Sequence, residues 1–443
     1  MKSTPERPTG MTAFTVIWIG QILSLLGTAM SQFALTLWAY EVTGKATPLA
    51  MVWFFWLIPT VALGPFVGVL VDRHNRKLMM MLSDLAAAFT TAVILVLYAT
   101  SSLQIWHLYL TATISGIFQG FQWPAYSASI ALMLRKEQYA RANGMLDMAG
   151  EASYIIAPIL AGALIGPLGL AGLLVVDLVS AAAAIGSLLF VHIPQPSQTE
   201  AGREGAGSFL KETAYGFRYI LRRPSLLGLQ TVFMACNFFD SLAAAILAPM
   251  ILSRSGGDEL ILGSVQSVGA IGGVVGGFLM ASWGGPKRRV HGVLLGWFCL
   301  GLLGTTVMGL GQSAPFWMAG LFLCLVCGSV LNGSNQAIWQ AKVVPDVQGR
   351  VFATRATIAQ LVLPLGGLLS GHLADHVMEP AMAEGGSLAP LFGWLVGTGK
   401  GAGMGLQWVI AGLLTAAAGA SGYLFTAVRN AEDILPDHDS VGQ

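Results

Sequence analysis

The chain has 443 residues, 55% hydrophobic and only 10% charged, against about 25% charged in an ordinary soluble protein. Its mean hydropathy of +0.68 excludes a string of soluble domains, and its net charge of +1 leaves no global field to draw nucleic acid. All four cysteines, Cys236, Cys299, Cys324 and Cys327, lie in apolar runs, which excludes a disulfide framework.

Apolar runs recur from end to end, each near or above the roughly 20 residues that cross a bilayer as helix. The first, from Met11 to Tyr40, is too long for a cleavable signal and reads as a span. Twelve spans are expected, near 12–40, 49–71, 78–100, 104–133, 143–166, 169–191, 225–252, 260–283, 290–311, 315–341, 351–376 and 404–428. Short turns at Gly166–Gly169 and Gly311–Pro315 separate antiparallel neighbours. This alternation puts 20 of the 23 basic residues on one side, in groups such as Lys2 and Arg7, Arg73 to Lys77, Arg135 to Arg141, Arg203 to Arg223 and Lys287 to Arg289. Only Lys45, Arg254 and Lys400 fall opposite. Lys and Arg are retained in the cytoplasm, so both termini and the central loop are expected there.

The longest polar stretch divides the spans six and six, giving expected units 1–192, 193–224 and 225–443. It opens as a linker, Pro194-Gln195-Pro196-Ser197, and continues as an expected helix from Ser208 to Arg223. That helix sets Phe209, Ala214, Phe217, Ile220 and Leu221 against Lys211, Glu212, Arg218 and Arg222. A basic amphipathic helix of this kind lies on an anionic leaflet; a solvated connector fits the same short pattern.

The halves echo each other at an offset of 206 to 209 residues. Gly68 matches Gly277, Glu137 and Arg141 match Asp346 and Arg350, and Pro158 matches Pro364. Parallel internal repeats are how many transporters frame a site near the bilayer midplane.

An ionisable group at that depth is expensive and needs a partner, a wet cavity or a function. Asp84 and Asp177 read as structural. Asp147 and Glu151 stand four apart and share a helix face. Glu151 is roughly 12 Å beyond Asn143, and paired carboxylates resist simultaneous ionisation, which suits proton uptake and release. Asp240, midway along the seventh span within Asn237–Ser241, is a third proton-coupling candidate. Amides and aromatics cluster where a pathway would run: Gln21, Gln32, Gln119, Gln122, Trp123, Tyr126, Phe238, Phe239, Asn332, Asn335, Gln336 and Gln340. Together they describe a pocket for a large, mostly apolar ligand, with interhelical hydrogen bonding the alternative for any single amide. His372, Asp375 and His376 fall short of a zinc set. Gly397–Gly403 lacks the form of a phosphate loop, and Leu388–Val396 is too short to span. No metal or cofactor is expected.

The loop Gly68-Val69-Leu70-Val71-Asp72-Arg73-His74-Asn75-Arg76-Lys77 resembles the cytoplasmic signature of the major facilitator superfamily, with Asn75 in place of the usual Gly. Tyr215–Pro224, Val344–Val351 and Arg141-Ala142-Asn143 resemble the branch holding macrolide efflux proteins and the enterobactin exporter. The resemblance departs at Gly116, which occupies the place of an Arg in many drug/proton antiporters, and at Ala281, which occupies an acidic position in the second-half loop. It implies an all-α membrane protein of twelve transmembrane helices in two pseudo-symmetric six-helix bundles. Spans one, four, seven and ten would line the cavity, placing Asp240 first among the acids. Gly68, Asp72, Arg73, Arg76 and Lys77 would form a cytoplasmic latch, and Arg355 could pair with one of its acids. The expected activity is proton-coupled efflux of an amphipathic small molecule by a monomer in the bacterial inner membrane. The alternatives are a lipid or lysolipid transporter, an uncoupled facilitator and, with no loop long enough for an output domain, a membrane sensor or scaffold. No arrangement of an enzyme appears.

Overall fold

The computed structural model describes residues 10–43, 47–196, 199–205 and 207–438; Lys2, Arg7, Lys45 and Ser197 lie outside them. Helices account for almost all of the described chain, and no strand occurs among the described residues. The first six spans are α1 (Gly10–Thr43), α2 with α3 (Thr47–Ala62 and Gly64–Arg73), α4 (Arg76–Ala99), α5 (Ile105–Met133) and the two arms of α6 (Lys136–Phe190). Pro59 inside α2 and Pro65 at the start of α3 interrupt the backbone ladder, and the second span bends there by 58°. The long α6 reverses at Gly169, whose φ of +65° suits a residue without Cβ. Val191 accordingly returns beside Lys77, which donates to its carbonyl at 2.9 Å. The fifth span starts at Lys136, earlier than the expected 143, because no breaker stands between the two and Gln138 Oε1 accepts from the N–H of Arg135 at 3.3 Å, closing the first turn.

After α7 (Glu200–Gly205) and α8 (Phe209–Leu221) come α9 with α10 (Pro224–Ala244 and Leu247–Ser255) and α11 (Glu259–Trp283). The ninth span is α12 (Arg289–Cys299), a π turn at Leu300–Thr305 and α13 (Thr306–Leu310). Next are α14 (Ala314–Lys342), α15 (Gln348–Leu373) with a π segment and α16 (Glu379–Met382), α17 (Ala389–Val396), and α18 (Ala402–Ser421). The chain closes on α19 (Thr426–Arg429) and α20 (Ala431–Ile434). Nine of these segments are each long and apolar enough to cross a membrane, and α2 with α3 does so as a bent pair. The second arm of α6 and the 29-residue α5 complete twelve. The last span stops at Ser421, short of the expected 428. Caps follow the chemistry of the termini: Asn75 accepts from Lys77 N at 3.0 Å, and Asp258 from Leu260 N and Ile261 N at 2.9 and 3.1 Å.

Within the first lobe α6 packs along α1 and α4; within the second α11 packs on α14 and α18 on α9 and α12. The lobes meet through α6 against α11 and α14, and through α3 against α15. At the end carrying the Arg73–Lys77 and Lys287–Arg289 loops, the basic end, the core is continuous. A buried cluster around Phe14, Met80 and Tyr139 takes in Met280, Ala337 and Ala341, and a second around Trp297 and Phe352 takes in Ala128. Toward the opposite end the buried clusters belong to one lobe each.

Candidate functional site

Two glycines seat the lobes on each other. A Cβ on Gly68 of α3 would lie 2.6 Å from Arg350 Cα and Gly349 O, at the start of α15. A Cβ on Gly277 of α11 would lie 2.7 Å from Met148 N and 2.8 Å from Gly144 O, near the start of α6. The residues matched by the repeat therefore do the same job: each lets one lobe's helix approach the first turns of the other lobe's. Close approach runs from the basic end to Gly64 beside Thr357 and Gly273 beside Glu151; farther out, Gly162, Gly263 and Gly371 meet nothing within 4 Å.

Around the first seat lies a network of charges. Asp72 accepts from Gly349 N at 2.7 Å and from Arg350 N and Nε at 3.0 and 3.1 Å. It thus caps the N-terminus of α15 from the other lobe, where the helix dipole favours an anion. Arg76 is buried, pairs with Asp72 at 3.9 Å, and donates to Ala128 O at 2.7 Å and to Pro345 O across the interface. Arg73 forms a two-pronged pair with Glu212 of α8, both contacts at 3.0 Å. Lys77 donates to Leu189 O and Val191 O, at the end of its own lobe. At the second seat Ala281 supplies no carboxylate, so only the basic half of the repeat is kept there: Arg289 donates to Lys136 O across the interface and to Ala337 O at 3.3 Å.

A layer of amides seals the interface one step farther in. Asn143 Nδ2 donates to Gln340 Oε1 at 2.8 Å, Gln340 Nε2 to Ser127 O at 2.9 Å, and Gln336 Nε2 to Ser127 Oγ. Three of the pathway amides expected on this span, Asn332, Asn335 and Gln336, therefore part company. Gln336 belongs to the seal, Asn335 accepts from Trp339 Nε1 at 3.1 Å, and Asn332 is exposed. Gln32, Gln119 and Trp123 are also exposed, Phe239 is half-buried, and Tyr126 is buried.

Gln21 and Gln122 do not stand free as a lining would. Gln21 donates to Asp84 Oδ2 at 2.9 Å, while Gln122 donates to Asp84 Oδ1 at 3.2 Å and to Gln21 Oε1 at 2.7 Å. The structure thus makes Asp84 the centre of a polar cluster that joins α1, α4 and α5. Asp177, which lacks polar neighbours in sequence, has them in space: Thr28 and Thr91 donate to it at 2.9 and 2.8 Å.

Asp240 accepts from Thr305 Oγ1 at 3.2 Å, the residue that closes the π turn. Asp147 lies at the seam of α6 with α11, and its Oδ2 is sealed without a hydrogen-bond partner. Glu151, one turn on, is half-buried and packs its stem on Gly273. Arg355 departs from the expected pairing with an acid of the latch. Its Nη1 donates to Gln336 Oε1 at 2.7 Å and its guanidinium lies 5.2 Å from the Trp339 ring centre. Among the described residues no carboxylate is within ion-pair distance of it, because Asp72 is already taken by Arg350 and Arg76.

Two acids outside the membrane-spanning helices complete the basic end. Burial would raise the carboxyl of Glu212, but Arg73, the Gly207 N–H and Arg350 outweigh it and hold it below its ordinary value. Asp437 is likewise pulled down, against its burial, by Lys342 and Lys136, at 2.8 and 3.1 Å. It therefore ties the two lobes through the C-terminal tail. The amphipathic pattern sets Glu212 on the charged face of the linker helix, whereas the structure buries it; it is the one acid among Lys211, Arg218, Arg222 and Arg223.

A family model described as Major Facilitator Superfamily matches residues 17–367. Macrolide efflux protein A of Streptococcus pyogenes is 27% identical over 371 residues, covering 82% of this chain and 90% of that one. Among solved structures, a human organic anion transporter superposes with a TM-score of 0.67 at 18% identity, covering 93% of this chain and 100% of that one. A bacterial homologue of the iron transporter ferroportin, solved in its outward-facing state, gives 0.68 at 15%, with 92% and 99% covered.

Proposed function

The chain belongs to the Major Facilitator Superfamily and is a multi-pass membrane transporter rather than an enzyme; from that premise we propose that it exports an amphipathic small molecule by proton-coupled alternating access. The lobes we assign are 1–192 and 225–443, hinged through 193–224, with the basic end and both termini in the cytoplasm of a bacterial cell. In this arrangement the structure stands closed inward and parted outward. The similarity to a macrolide efflux protein supports a drug-like, amphipathic cargo. Exposed Gln32, Gln119, Trp123 and Asn332 are assigned to the pocket wall, with Phe239 and Tyr126 beside them.

The observation that carries the coupling is the placement of Asp147. Closing the seam seals its Oδ2 without a partner, and a charge so placed is costly. Its packed neighbours supply no cation at its level. On α6 the nearest is Arg141, six residues back; α1, α5 and α11 have no Lys or Arg at all; and α4 and α14 carry theirs at the basic end. Closure therefore favours the neutral acid, and half-buried Glu151 next to it is the group through which a proton from outside would arrive. Asp240, which accepts a hydrogen bond from Thr305, is the second proton-accepting position.

Transport of a fluorescent macrolide or a related amphipathic amine into inverted proteoliposomes, with and without an imposed pH gradient, tests the reading. Gradient-driven uptake is expected, and loss of the gradient response in Asp147→Asn or Asp240→Asn. Uptake indifferent to the gradient in the unmodified protein would remove proton coupling.

A further inference from the structure

We propose that the outward face of α8 is seated in the anionic headgroup layer of the surrounding membrane, and that this seating holds the lobes closed through Glu212. The helix has two faces with different employment. Glu212, Tyr215, Gly216, Tyr219 and Ile220 are buried against α3, α9 and α15. The approach is close enough that a Cβ on Gly216 would lie 2.1 Å from Thr354 Oγ1. The opposite face exposes Leu210 (71%), Phe217 (37%) and Leu221 (63%), with exposed Ala214 between them. Positions 210, 214, 217 and 221 form one helical stripe, and it is not the stripe that amphipathic patterning alone singles out, since Ile220 points inward.

Charge and depth identify what covers this stripe. Lys211 and Arg222 are exposed beside it, and Arg218 and Arg223 lie over the rings of Tyr215 and Tyr219. The only acid in the helix, Glu212, is turned inward, so the outer surface is apolar with a basic border and complements a layer of anionic headgroups over acyl chains. The helix also starts at membrane depth. Phe209 stacks on Phe66, with centroids 5.8 Å apart and planes within 9°, and Phe66 stands seven residues, about 10 Å, up the span from Arg73. A soluble partner would have to reach past the headgroups to cover Leu210.

The inner face of the same helix carries the consequence. Glu212 binds Arg73 at 3.0 Å, accepts from Gly207 N at 3.0 Å, and lies 4.0 Å from Arg350 of the opposite lobe. Arg350 in turn lies 5.3 Å from the centre of the Tyr215 ring. Lipid that fixes α8 at the interface fixes Glu212 between the two arginines, so anionic lipid favours the form closed at the basic end. This holds whether or not protons drive transport.

Single cysteines at Leu210, Phe217, Leu221 and Lys211, in a chain lacking the four native cysteines, carry nitroxide labels into nanodiscs of phosphatidylcholine with or without phosphatidylglycerol. Labels at 210, 217 and 221 should relax with oxygen and be shielded from a water-soluble nickel chelate, with the label at 211 at headgroup depth. Equal nickel exposure at all four sites overturns the seating. A second label pair, Arg135→Cys with Lys287→Cys, reads closure of the basic end. In the unmodified linker, phosphatidylglycerol should raise the closed-to-open ratio, and each of Lys211→Gln and Arg222→Gln should reduce that gain by about five-fold. A ratio unmoved by phosphatidylglycerol overturns the coupling, and the two lipid conditions on the unmodified linker decide it even if a variant fails to fold.

Discussion

Asp72 illustrates how one side chain can belong to two lobes. It sits in α3, yet its carboxylate satisfies the first N–H groups of α15 and binds Arg350. Charge-assisted hydrogen bonds of this kind contribute about 1.5–3 kcal/mol each, so Asp72→Asn should open the basic end by at least ten-fold, read as the change in interlobe distance by spin labelling. Arg355 is the opposite case: a buried cation with an amide and an aromatic face for company and no carboxylate within reach. A buried charge without a counter-ion is costly to keep from water, and an apolar side chain of similar length removes that cost. Arg355→Met should therefore leave the unfolding temperature in detergent unchanged or raised, and a clear fall would mean that the guanidinium is balanced by something beyond Gln336 and Trp339. The Asp84 cluster is closer to ordinary structure: two glutamines from different helices occupy both oxygens of one acid, which binds α1, α4 and α5 at a common depth.

At the scale of elements, the seam of α6 with α11 and that of α3 with α15 are two versions of one joint. Both depend on a glycine whose missing Cβ is the space the partner helix occupies. Overpacking of a close contact costs about 1–3 kcal/mol, so Gly277→Val should favour the form open at the basic end, as should Gly68→Val. Disulfide trapping between cysteines placed across the basic end checks this, with slower trapping expected in both variants. The joints differ in chemistry. The α3 joint is fastened by the buried charges of Asp72, Arg76 and Arg350 and by Glu212 of α8, and the α11 joint by van der Waals contact, the neutral seal of Asn143 and Gln340 and, at its outer margin, Arg289 on Lys136 O and Asp437 on Lys136 and Lys342.

For the whole molecule, part of the pH dependence of closure at the basic end comes from groups outside the spans. Glu212 and Asp437 are held below their ordinary values of 4.5 and 3.8. A depressed carboxylate stabilises the form that depresses it at all pH above its ordinary value, and that contribution is lost as pH falls through the lowered one. The share of closure owed to Glu212 should therefore be constant from neutral pH down to about 4.5 and fade only below it, read as the difference in interlobe distance at the basic end between the unmodified protein and Glu212→Gln across that range. Much of this architecture is legible in the chain. Apolar runs near bilayer length, the one-sided distribution of Lys and Arg, and the repeat of Gly68 with Gly277 define twelve spans in two related lobes, because the cost of exposing backbone and charge to hydrocarbon acts locally and leaves a local record. Partnership does not. That Glu212 turns inward to Arg73, that Asp84 and not solvent receives Gln21 and Gln122, and that Arg355 stands apart from every described acid depend on which helices lie side by side. Sequence spacing defines the face of one helix; the neighbour that the face meets is decided by packing among helices tens to hundreds of residues apart, and only the folded chain contains that choice.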